Sequence, residues 1–199
     1  MSAVVLDPEI LLTFQQLQAQ AYDVGEPDPT AMTLATADAS GRVSLRAVLL
    51  KQVDARGFVF YTNLESNKGK QLEANPRAAL CFLWLRLRNQ VQVRIEGDVE
   101  PVNDLEADAY FATRPRESQM GAWASLQSQT LPDRATFDER MRHFEAKYEG
   151  VAVQRPPHWS GRRVCPDMVE FWYGARYRLH QRDRWELHDA LWQRRLLYP

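Results

Sequence analysis

Cysteine is scarce in this sequence, and neither sign of charge is in surplus. The two cysteines, Cys81 and Cys165, lie in no CxxC or Cys/His spacing, which excludes a zinc site and a disulfide framework and favours a reducing cytoplasm. Lys and Arg (25) nearly balance Asp and Glu (26), so no global field attracts nucleic acid or an acidic membrane surface. Any anion site must therefore be a local cluster.

Long apolar runs are also missing. The longest run, AALCFLWL, is too short to span a bilayer. The N-terminal MSAVVLDPEI has no basic segment followed by an apolar one. We therefore expect a cytoplasmic protein with neither a membrane anchor nor an export signal.

Several widespread motifs are absent as well. The sequence has no GxGxxG after a strand, no GxxxxGK[ST], no GxSxG and no HExxH. These absences exclude the common binding loops for dinucleotides and nucleoside triphosphates, the nucleophile turn of serine hydrolases and the zinc site of HExxH metalloproteases. With no nucleophile motif and no metal expected, demanding chemistry would have to come from an organic cofactor.

What is present is enough for one folded domain. The 199 residues are 45% hydrophobic and 11% aromatic, which suffices for a core. Asp7 and Pro8 predict the start of a helix, and GEPDPT (25–30) ends it. Its apolar face is predicted at helical spacing, from Ile10, Leu11, Phe14, Leu17 and Tyr22.

The remaining segments predict an α+β protein. AMTLATA, VSLRAVLLKQV and FVFYTN read as an antiparallel meander, followed by a short helix capped by Ser66 and by strands over 78–86 and 90–102. Helices are predicted at 103–111, from Pro115, and at 133–149 with Asp133 as cap; VQRPPHWSGRR is predicted as a loop, and strands with tight turns follow. Six or more antiparallel strands favour a small closed barrel with helices outside, because closure removes exposed edges.

Cations concentrate in a few of these segments. In RYRLHQR, strand alternation would place Arg178, His180 and Arg182 on one face, either as a charged edge strand or as an anion site. The strand SLRAVLLKQ is apolar on both faces and is expected to be covered on both, with a partner subunit as one possible cover, yet it carries Arg46 and Lys51.

Two helix starts carry further cations beside hydroxyl groups. In YTNLESNKGK, residues 66–68 open a helix whose free N–H groups suit phosphate. In YFATRPRESQMGAW, Pro115 forces a bend at Arg114, close to Ser118, while Arg116 is expected only as support. Local clusters in a nearly neutral protein indicate one or two small phosphorylated ligands.

These segments together resemble a known family. RAVLLK, FYTN, the SxK helix start, QVRIEG, RPRESQMGAW, EFW and RLHQR occur in the order and at the separations of the pyridoxine (pyridoxamine) 5'-phosphate oxidase family, from about Pro29 to the C-terminus. The resemblance implies an FMN-binding split β-barrel, here one domain over 1–199 with an N-terminal helical arm (1–28). It also implies a homodimer with two FMN sites at the subunit interface.

The activity implied by the resemblance is an oxidation. Pyridoxine or pyridoxamine 5'-phosphate would be converted to pyridoxal 5'-phosphate with O2 as acceptor, releasing H2O2 and, from the amine, ammonia. Such an enzyme serves vitamin B6 biosynthesis and salvage. The order of preference between the two esters, the firmness of FMN binding and the presence of an allosteric product site remain open.

The resemblance also assigns site residues. FMN contacts are expected from Arg46, Ala47, Val48, Leu49, Lys51, Tyr61, Thr62, Asn67, Lys68, Gln92, Gln127, Ser128, Trp172 and Arg182. The substrate phosphate would be held by Lys51, Tyr110, Arg114 and Ser118, with Arg178 and His180 as catalytic residues beside the reacting carbon. Which of them come from the partner subunit is not visible in the sequence.

Two positions depart from the family pattern. Asn67 stands where relatives usually have a cation, which would weaken FMN binding by about 1–3 kcal/mol if a charged hydrogen bond is lost. The segment WLRLRNQVQVRIEG is two residues longer than usual, so Gln90 competes with Gln92 for the flavin contact, and the fit to QVRIEG favours Gln92.

Two rival functions remain. A related flavin oxidase of the phenazine pathway shares the barrel, but its relatives depart at Lys51 and at the RPR positions that this chain keeps. A carrier of FMN or pyridoxal phosphate without activity is the other alternative. Peroxide production with pyridoxamine phosphate would separate the enzyme from the carrier.

Overall fold

A computed structural model describes residues 5–199; residues 1–4 of the predicted arm (1–28) lie outside the described part. The helices are α1 Pro8–Asp23, α2 Asn67–Ala74, α3 Asp104–Thr113, α4 Arg116–Ala124 and α5 Arg134–Lys147. The strands are β1 Ala31–Ala37, β2 Val43–Leu49, β3 Gln52–Asp54, β4 Gly57–Asn63, β5 Arg77–Trp84, β6 Val91–Pro101, β7 Trp159–Tyr173, β8 Gln181–His188 and β9 Leu191–Leu197. No described helix is long and apolar enough to cross a membrane.

The strands form one curled antiparallel sheet. Its order is β2-β1-β5-β6-β7-β4-β3, with β8 added to β7 and β9 to β8. The first and last strands of this path, β2 and β3, are joined only by Leu50 and Lys51. The backbone N–H of Lys51 donates to the carbonyl of Val59 over 2.8 Å. The sheet curls into a half-barrel, which confirms the predicted α+β class with an antiparallel split barrel and flanking helices. The expected full closure is not seen, because within residues 5–199 the end strands β2 and β3 do not pair with each other.

Helix α1 closes the largest core. Phe14 packs edge-on against Phe58 and Phe82, with ring centroids 4.9 and 5.1 Å apart. The buried positions of α1 are Ile10, Phe14, Leu17 and Ala21. Tyr22 was placed on this face by spacing, and that prediction is wrong, because Ala21 completes the apolar stripe and Tyr22 is 56% exposed.

Helix caps agree with the sequence. The side chains of Asp7, Ser66, Asn103 and Asp133 each accept a hydrogen bond from a backbone N–H in the first turn of α1, α2, α3 and α5. Each cap satisfies one N–H that the helix itself cannot bond. The predicted helix starts are therefore confirmed.

Long-range strand pairing differs from the prediction. The segments 31–63 do not form a simple meander: β1 and β2 form a hairpin, but β3 pairs with β4 at the other end of the sheet. Strand β2 is not covered on both faces within this chain, because Val43 and Leu45 are 73% and 69% exposed. An apolar edge of this kind is typical of a surface that meets another subunit.

The C-terminal third contains two further corrections. Strand β7 begins at Trp159, so the predicted loop over 153–163 ends in strand, which pairs with β4 over Asn63 to Phe58. The segment RYRLHQR is not a continuous strand, because Tyr177 and Arg178 have φ values of 58° and 63° in a tight turn. The proposed single-faced row of Arg178, His180 and Arg182 is therefore wrong.

Candidate active site

A cavity of about 690 Å³ lies where the ends of β2 and β4 meet the starts of α2 and α4. Its volume falls in the usual range for small-molecule sites. The cavity brings together eleven of the predicted site residues: Ala47, Val48, Leu49, Lys51, Tyr61, Thr62, Lys68, Tyr110, Arg114, Ser118 and Gln127. These residues come from four separate parts of the chain.

Lys68 lies in the first turn of α2 and faces this cavity. Its Nζ donates to Thr62 Oγ1 (3.0 Å), Gln127 Oε1 (2.9 Å) and Ser66 Oγ (3.3 Å). All three acceptors are neutral, so the positive charge is not compensated. Burial, and secondly the charge of Arg46, lowers the pKa of Lys68 below its usual range. A phosphate group would supply the missing negative charge.

Arg46 lies on β2 next to this cation. Its guanidinium donates to Thr36 Oγ1 (2.6 Å), to the carbonyl of Leu34 (3.3 Å) and to Gln71 Oε1 (3.3 Å). Burial lowers the pKa of Arg46. Arg46 does not line the cavity itself, but its charge contributes to the lowered pKa of Lys68.

Asn67 and Ser128 meet at the outer edge of the α2 start. The backbone N–H of Asn67 donates to Ser128 Oγ over 3.2 Å. Ser128 has a φ of 72°, a conformation that few residues other than glycine adopt. The Asn67 residue is exposed. These two predicted contacts lie beside the cavity and do not line it.

Arg114 occupies the bend between α3 and α4. Its backbone is extended (φ −71°, ψ 148°), as expected before a proline. The guanidinium carbon lies 4.7 Å from the ring centroid of Trp159. Arg114 Nη1 is buried and has no hydrogen-bond partner. Because buried donors are nearly always paired, this atom indicates a site for an acceptor.

Ser118 extends this donor group on α4. The helix begins after Pro115 without a side-chain cap, so its first N–H groups stay free. Ser118 and Pro115 both line the cavity. The start of α4 therefore offers backbone and hydroxyl donors beside the Arg114 guanidinium, which suits an anion.

Three aromatic rings form one wall of the cavity. The ring centroids of Tyr61 and Tyr110 are 4.0 Å apart with planes 15° apart, and Tyr61 and Trp159 are stacked at 5.1 Å. Tyr61 Oη donates to the carbonyl of Glu106 over 3.3 Å. Burial raises the pKa of Tyr61, and the nearby Glu106 adds to this effect. The wall is therefore a neutral, rigid platform.

In the described part of the chain, the cations in and beside the cavity have no carboxylate partner, unlike several arginines elsewhere in the molecule. Buried Arg163, for example, lies 2.9 Å from an oxygen of Asp54. Among residues 5–199, no ion pair involves Arg46, Lys51, Lys68 or Arg114. The site thus concentrates positive charge without a carboxylate, an arrangement suited to phosphate esters.

A second group of predicted residues lies elsewhere. Gln92, Trp172 and Arg182 are register neighbours across β6, β7 and β8. The ring of His180 lies 4.4 Å from that of Trp172. Gln90 lies in the turn before β6 with a φ of 85°, whereas Gln92 lies on β6 beside Trp172.

The side chains of this second cluster are held firmly. Arg182 makes a two-pronged ion pair with the buried Glu170, at 2.8 and 3.2 Å. His180 Nδ1 accepts a hydrogen bond from the backbone N–H of Ala175 (3.2 Å), which leaves Nε2 as the protonated nitrogen of the neutral ring. Arg178 is exposed in the tight turn that joins β7 to β8.

The two clusters lie at opposite ends of β7. Thr62 of the cavity pairs with Ser160 near the start of the strand, whereas Gln92 pairs with Trp172 near its end. Twelve residues separate these two positions on β7, which is about 40 Å of strand. One chain therefore does not bring all the predicted site residues together.

Sequence reasoning missed Trp159, Asn63 and Ser125, which also line the cavity. The only signal for Trp159 was an aromatic residue within an apparent loop. Arg116, in contrast, does not line the cavity: its guanidinium donates to the carbonyls of Val151 (3.0 Å) and Tyr148 at the end of α5. It therefore supports α4, as expected from the sequence.

Comparison with known proteins identifies the family of this chain. Residues 19–148 match the family described as "Pyridoxamine 5'-phosphate oxidase", and residues 159–199 match the "Pyridoxine 5'-phosphate oxidase C-terminal dimerisation region". A protein of Xanthomonas euvesicatoria pv. vesicatoria named pyridoxine/pyridoxamine 5'-phosphate oxidase is 56% identical over 193 residues, covering 96% of this chain and 97% of that protein. A protein of the same name from Xylella fastidiosa is 54% identical and covers 100% of this chain and 96% of its own length.

Solved structures share the fold. PhzG from Burkholderia lata 383, in complex with tetrahydrophenazine-1-carboxylic acid, superposes with a TM-score of 0.86 at 32% identity and full coverage of both chains. An FMN-binding, pyridoxamine 5'-phosphate oxidase-related protein from Nostoc punctiforme gives 0.75 at 15% identity, with coverage of 98% and 99%. The expected split barrel and enzyme class, an oxidoreductase, are confirmed. The chain belongs to the pyridoxamine 5'-phosphate oxidase family.

Proposed function

We propose that this protein is an FMN-dependent oxidase that converts pyridoxine or pyridoxamine 5'-phosphate to pyridoxal 5'-phosphate. In the balanced reactions, the alcohol and O2 give the aldehyde and H2O2, whereas the amine, O2 and water give the aldehyde, ammonia and H2O2. The observation that carries this proposal is the buried, unpartnered Nη1 of Arg114 beside Ser118, in a cavity whose cations have no carboxylate partner.

The donor set fits FMN at the α2 end of the cavity. Lys68, Thr62 and the α2 start would hold its phosphate, helped by the charge of Arg46. When bound, FMN would supply the oxidising ring that accepts a hydride from the substrate and returns the electrons to O2. The protein's own contribution is to fix both ligands in reacting geometry.

The substrate end is formed by other residues of the same cavity. Arg114 Nη1, the Ser118 hydroxyl and the free N–H groups of α4 would bind the phosphate of the vitamin ester, with Lys51 and Tyr110 beside them. The aromatic wall would exclude water from one side of the bound ester. Arg178 and His180 would lie beside the reacting carbon and orient the alcohol or amine, with His180 as a hydrogen-bond donor through Nε2.

We further propose a homodimer in which the partner's second cluster completes each cavity. The separation of the clusters along β7, the exposed apolar edge of β2 and the C-terminal match to a dimerisation region support this arrangement. We also propose a single domain over 1–199 with the arm 1–28; the α1 side chains in the barrel core support this for the described part of the arm.

The decisive experiment measures H2O2 release with each ester. The FMN-loaded protein should produce peroxide with pyridoxamine or pyridoxine 5'-phosphate, and anaerobic mixing should bleach the flavin absorbance. Binding of FMN without turnover of either ester would favour the carrier. Turnover of a reduced phenazine carboxylate in place of the esters would favour the function suggested by the similarity to PhzG.

A further inference from the structure

The side-chain amide of Gln71 contacts the cation that supports the α2 phosphate site. Gln71 lies on α2, one turn after Lys68. Its Oε1 accepts hydrogen bonds from Thr36 Oγ1 (2.6 Å) and Arg46 Nη2 (3.3 Å), and its Nε2 donates to Ser44 Oγ (3.1 Å). Because a guanidinium has only donors, the amide must present its oxygen to Arg46.

Every acceptor around Arg46 is uncharged. Besides Gln71, the guanidinium contacts only the hydroxyl of Thr36 and the carbonyl of Leu34 within the described residues. Arg182 shows the opposite arrangement, since the carboxylate of Glu170 neutralises it. This neutral shell leaves the charge of Arg46 uncompensated although a second cation is near: burial, and secondly the charge of Arg46, lowers the pKa of Lys68.

We propose that Gln71 is a positioning residue that fixes Arg46 through a neutral acceptor, so that its full charge acts on a phosphate group bound at the start of α2. The assignment of that phosphate to FMN rests on the proposed function. The positioning role itself rests on the hydrogen bonds of Gln71.

An amide rather than a carboxylate at this position has a physical consequence. Glutamate has nearly the same shape, and at 3.3 Å from Arg46 Nη2 it would form an ion pair that reduces the repulsion between Arg46 and Lys68. The same negative charge would repel a phosphate. Gln71→Glu should therefore maintain or raise the stability of the apoprotein and lower its affinity for phosphate.

The test compares Gln71→Glu with the wild-type protein. FMN affinity is measured by quenching of flavin fluorescence, and the thermal midpoint of the apoprotein is measured with and without inorganic phosphate. We expect an equal or higher apoprotein midpoint, at least about tenfold weaker FMN binding, and a smaller rise of the midpoint with phosphate. Gln16→Glu, an equal charge change at an exposed position of α1, should leave all three unchanged.

A second variant, Gln71→Met, tests the proposal if Gln71→Glu does not fold. It removes the acceptor without adding charge, so FMN binding should weaken by less than in Gln71→Glu. If FMN and phosphate binding stay at the wild-type level in Gln71→Glu, or in Gln71→Met where the first variant does not fold, the proposal is overturned.

The failures of the two proposals are distinguishable. A wild-type protein that binds FMN but oxidises neither ester contradicts the proposed function and leaves the role of Gln71 intact. A wild-type protein that oxidises both esters, beside a Gln71→Glu variant with unchanged FMN affinity, contradicts only the role of Gln71.

Discussion

At the scale of single residues, Arg163 and Arg114 show the difference between a neutralised charge and a charge that is available to a ligand. Arg163 is paired with the carboxylate of Asp54, whereas Arg114 has an aromatic ring on one side and a buried N–H without a partner. A buried charge without a counter-ion is costly unless a ligand supplies one. This distinction could not be made from the sequence, in which all arginines look alike.

Replacing Arg114 tests its role in substrate binding. Arg114→Met keeps the length of the side chain and its contact with Trp159 but removes the charge. We expect KM for both esters to rise at least about tenfold, the scale of one charged hydrogen bond, with FMN content unchanged. Arg142→Met, at an exposed position of α5, is the matched control. An unchanged KM in Arg114→Met would remove Arg114 from the phosphate site.

Replacing Lys68 tests the link between charge and stability. Its pKa is lowered in the folded state by burial and by Arg46, so the charged form costs stability below that pKa. This cost disappears as the pH rises from the lowered pKa towards the ordinary value of 10.5. The wild-type apoprotein should therefore gain stability relative to Lys68→Met over this alkaline range, as measured by denaturant unfolding. A constant difference would contradict the lowered pKa.

Replacing Arg178 tests the proposed catalytic turn. Arg178→Met should lower kcat/KM by a factor that corresponds to at least about 2 kcal/mol of lost transition-state stabilisation, because one strong charged contact with the substrate is lost. Arg176→Met provides the control, since Arg176 is exposed in the same turn. Wild-type turnover in Arg178→Met, measured as peroxide release, would exclude Arg178 from the mechanism.

At the scale of elements, the helix caps were predicted correctly from the sequence, whereas the turn before β8 was not. The caps at Ser66 and Asp133 depend on neighbouring residues and were read correctly from the sequence. The turn at Tyr177 and Arg178 was missed, because neither residue is a glycine and the alternating cations are typical of a strand. Positive φ at ordinary residues is set by tertiary contacts, which sequence patterns do not carry.

The cap of α2 should matter for both stability and flavin binding. Ser66 is fully buried, accepts the N–H of Gly69 (3.3 Å) and donates to the carbonyl of Asn63 (2.7 Å). Ser66→Ala should cost about 1 kcal/mol of stability and also weaken FMN binding, because the helix start would hold the phosphate. Asp133→Ala removes the cap of α5 and should reduce stability alone. Equal FMN affinities in the two variants would contradict the α2 site.

At the scale of the whole molecule, the sequence indicated a barrel but not which strands meet. The pairing of β4 with β7 joins residues about a hundred positions apart, and it places Trp159 beside Tyr61 and below Arg114. No local pattern records such a pairing, so Trp159 was not predicted as a cavity residue. The second cluster was named from family resemblance, yet its separation from the cavity along β7 became visible only in the fold.

This separation makes a prediction about pairs of subunits. If each active site combines the cavity of one chain with the second cluster of its partner, Arg114→Met and Arg178→Met impair different halves of the same site. A dimer of one variant with the other then contains one doubly altered site and one intact site. Co-expression of the two variants with different affinity tags should restore about a quarter of wild-type activity in a statistical mixture, and about half in purified mixed dimers. If each site lay within one chain, both sites of the mixed dimer would carry a substitution, and purified mixed dimers would be no more active than the two variants alone.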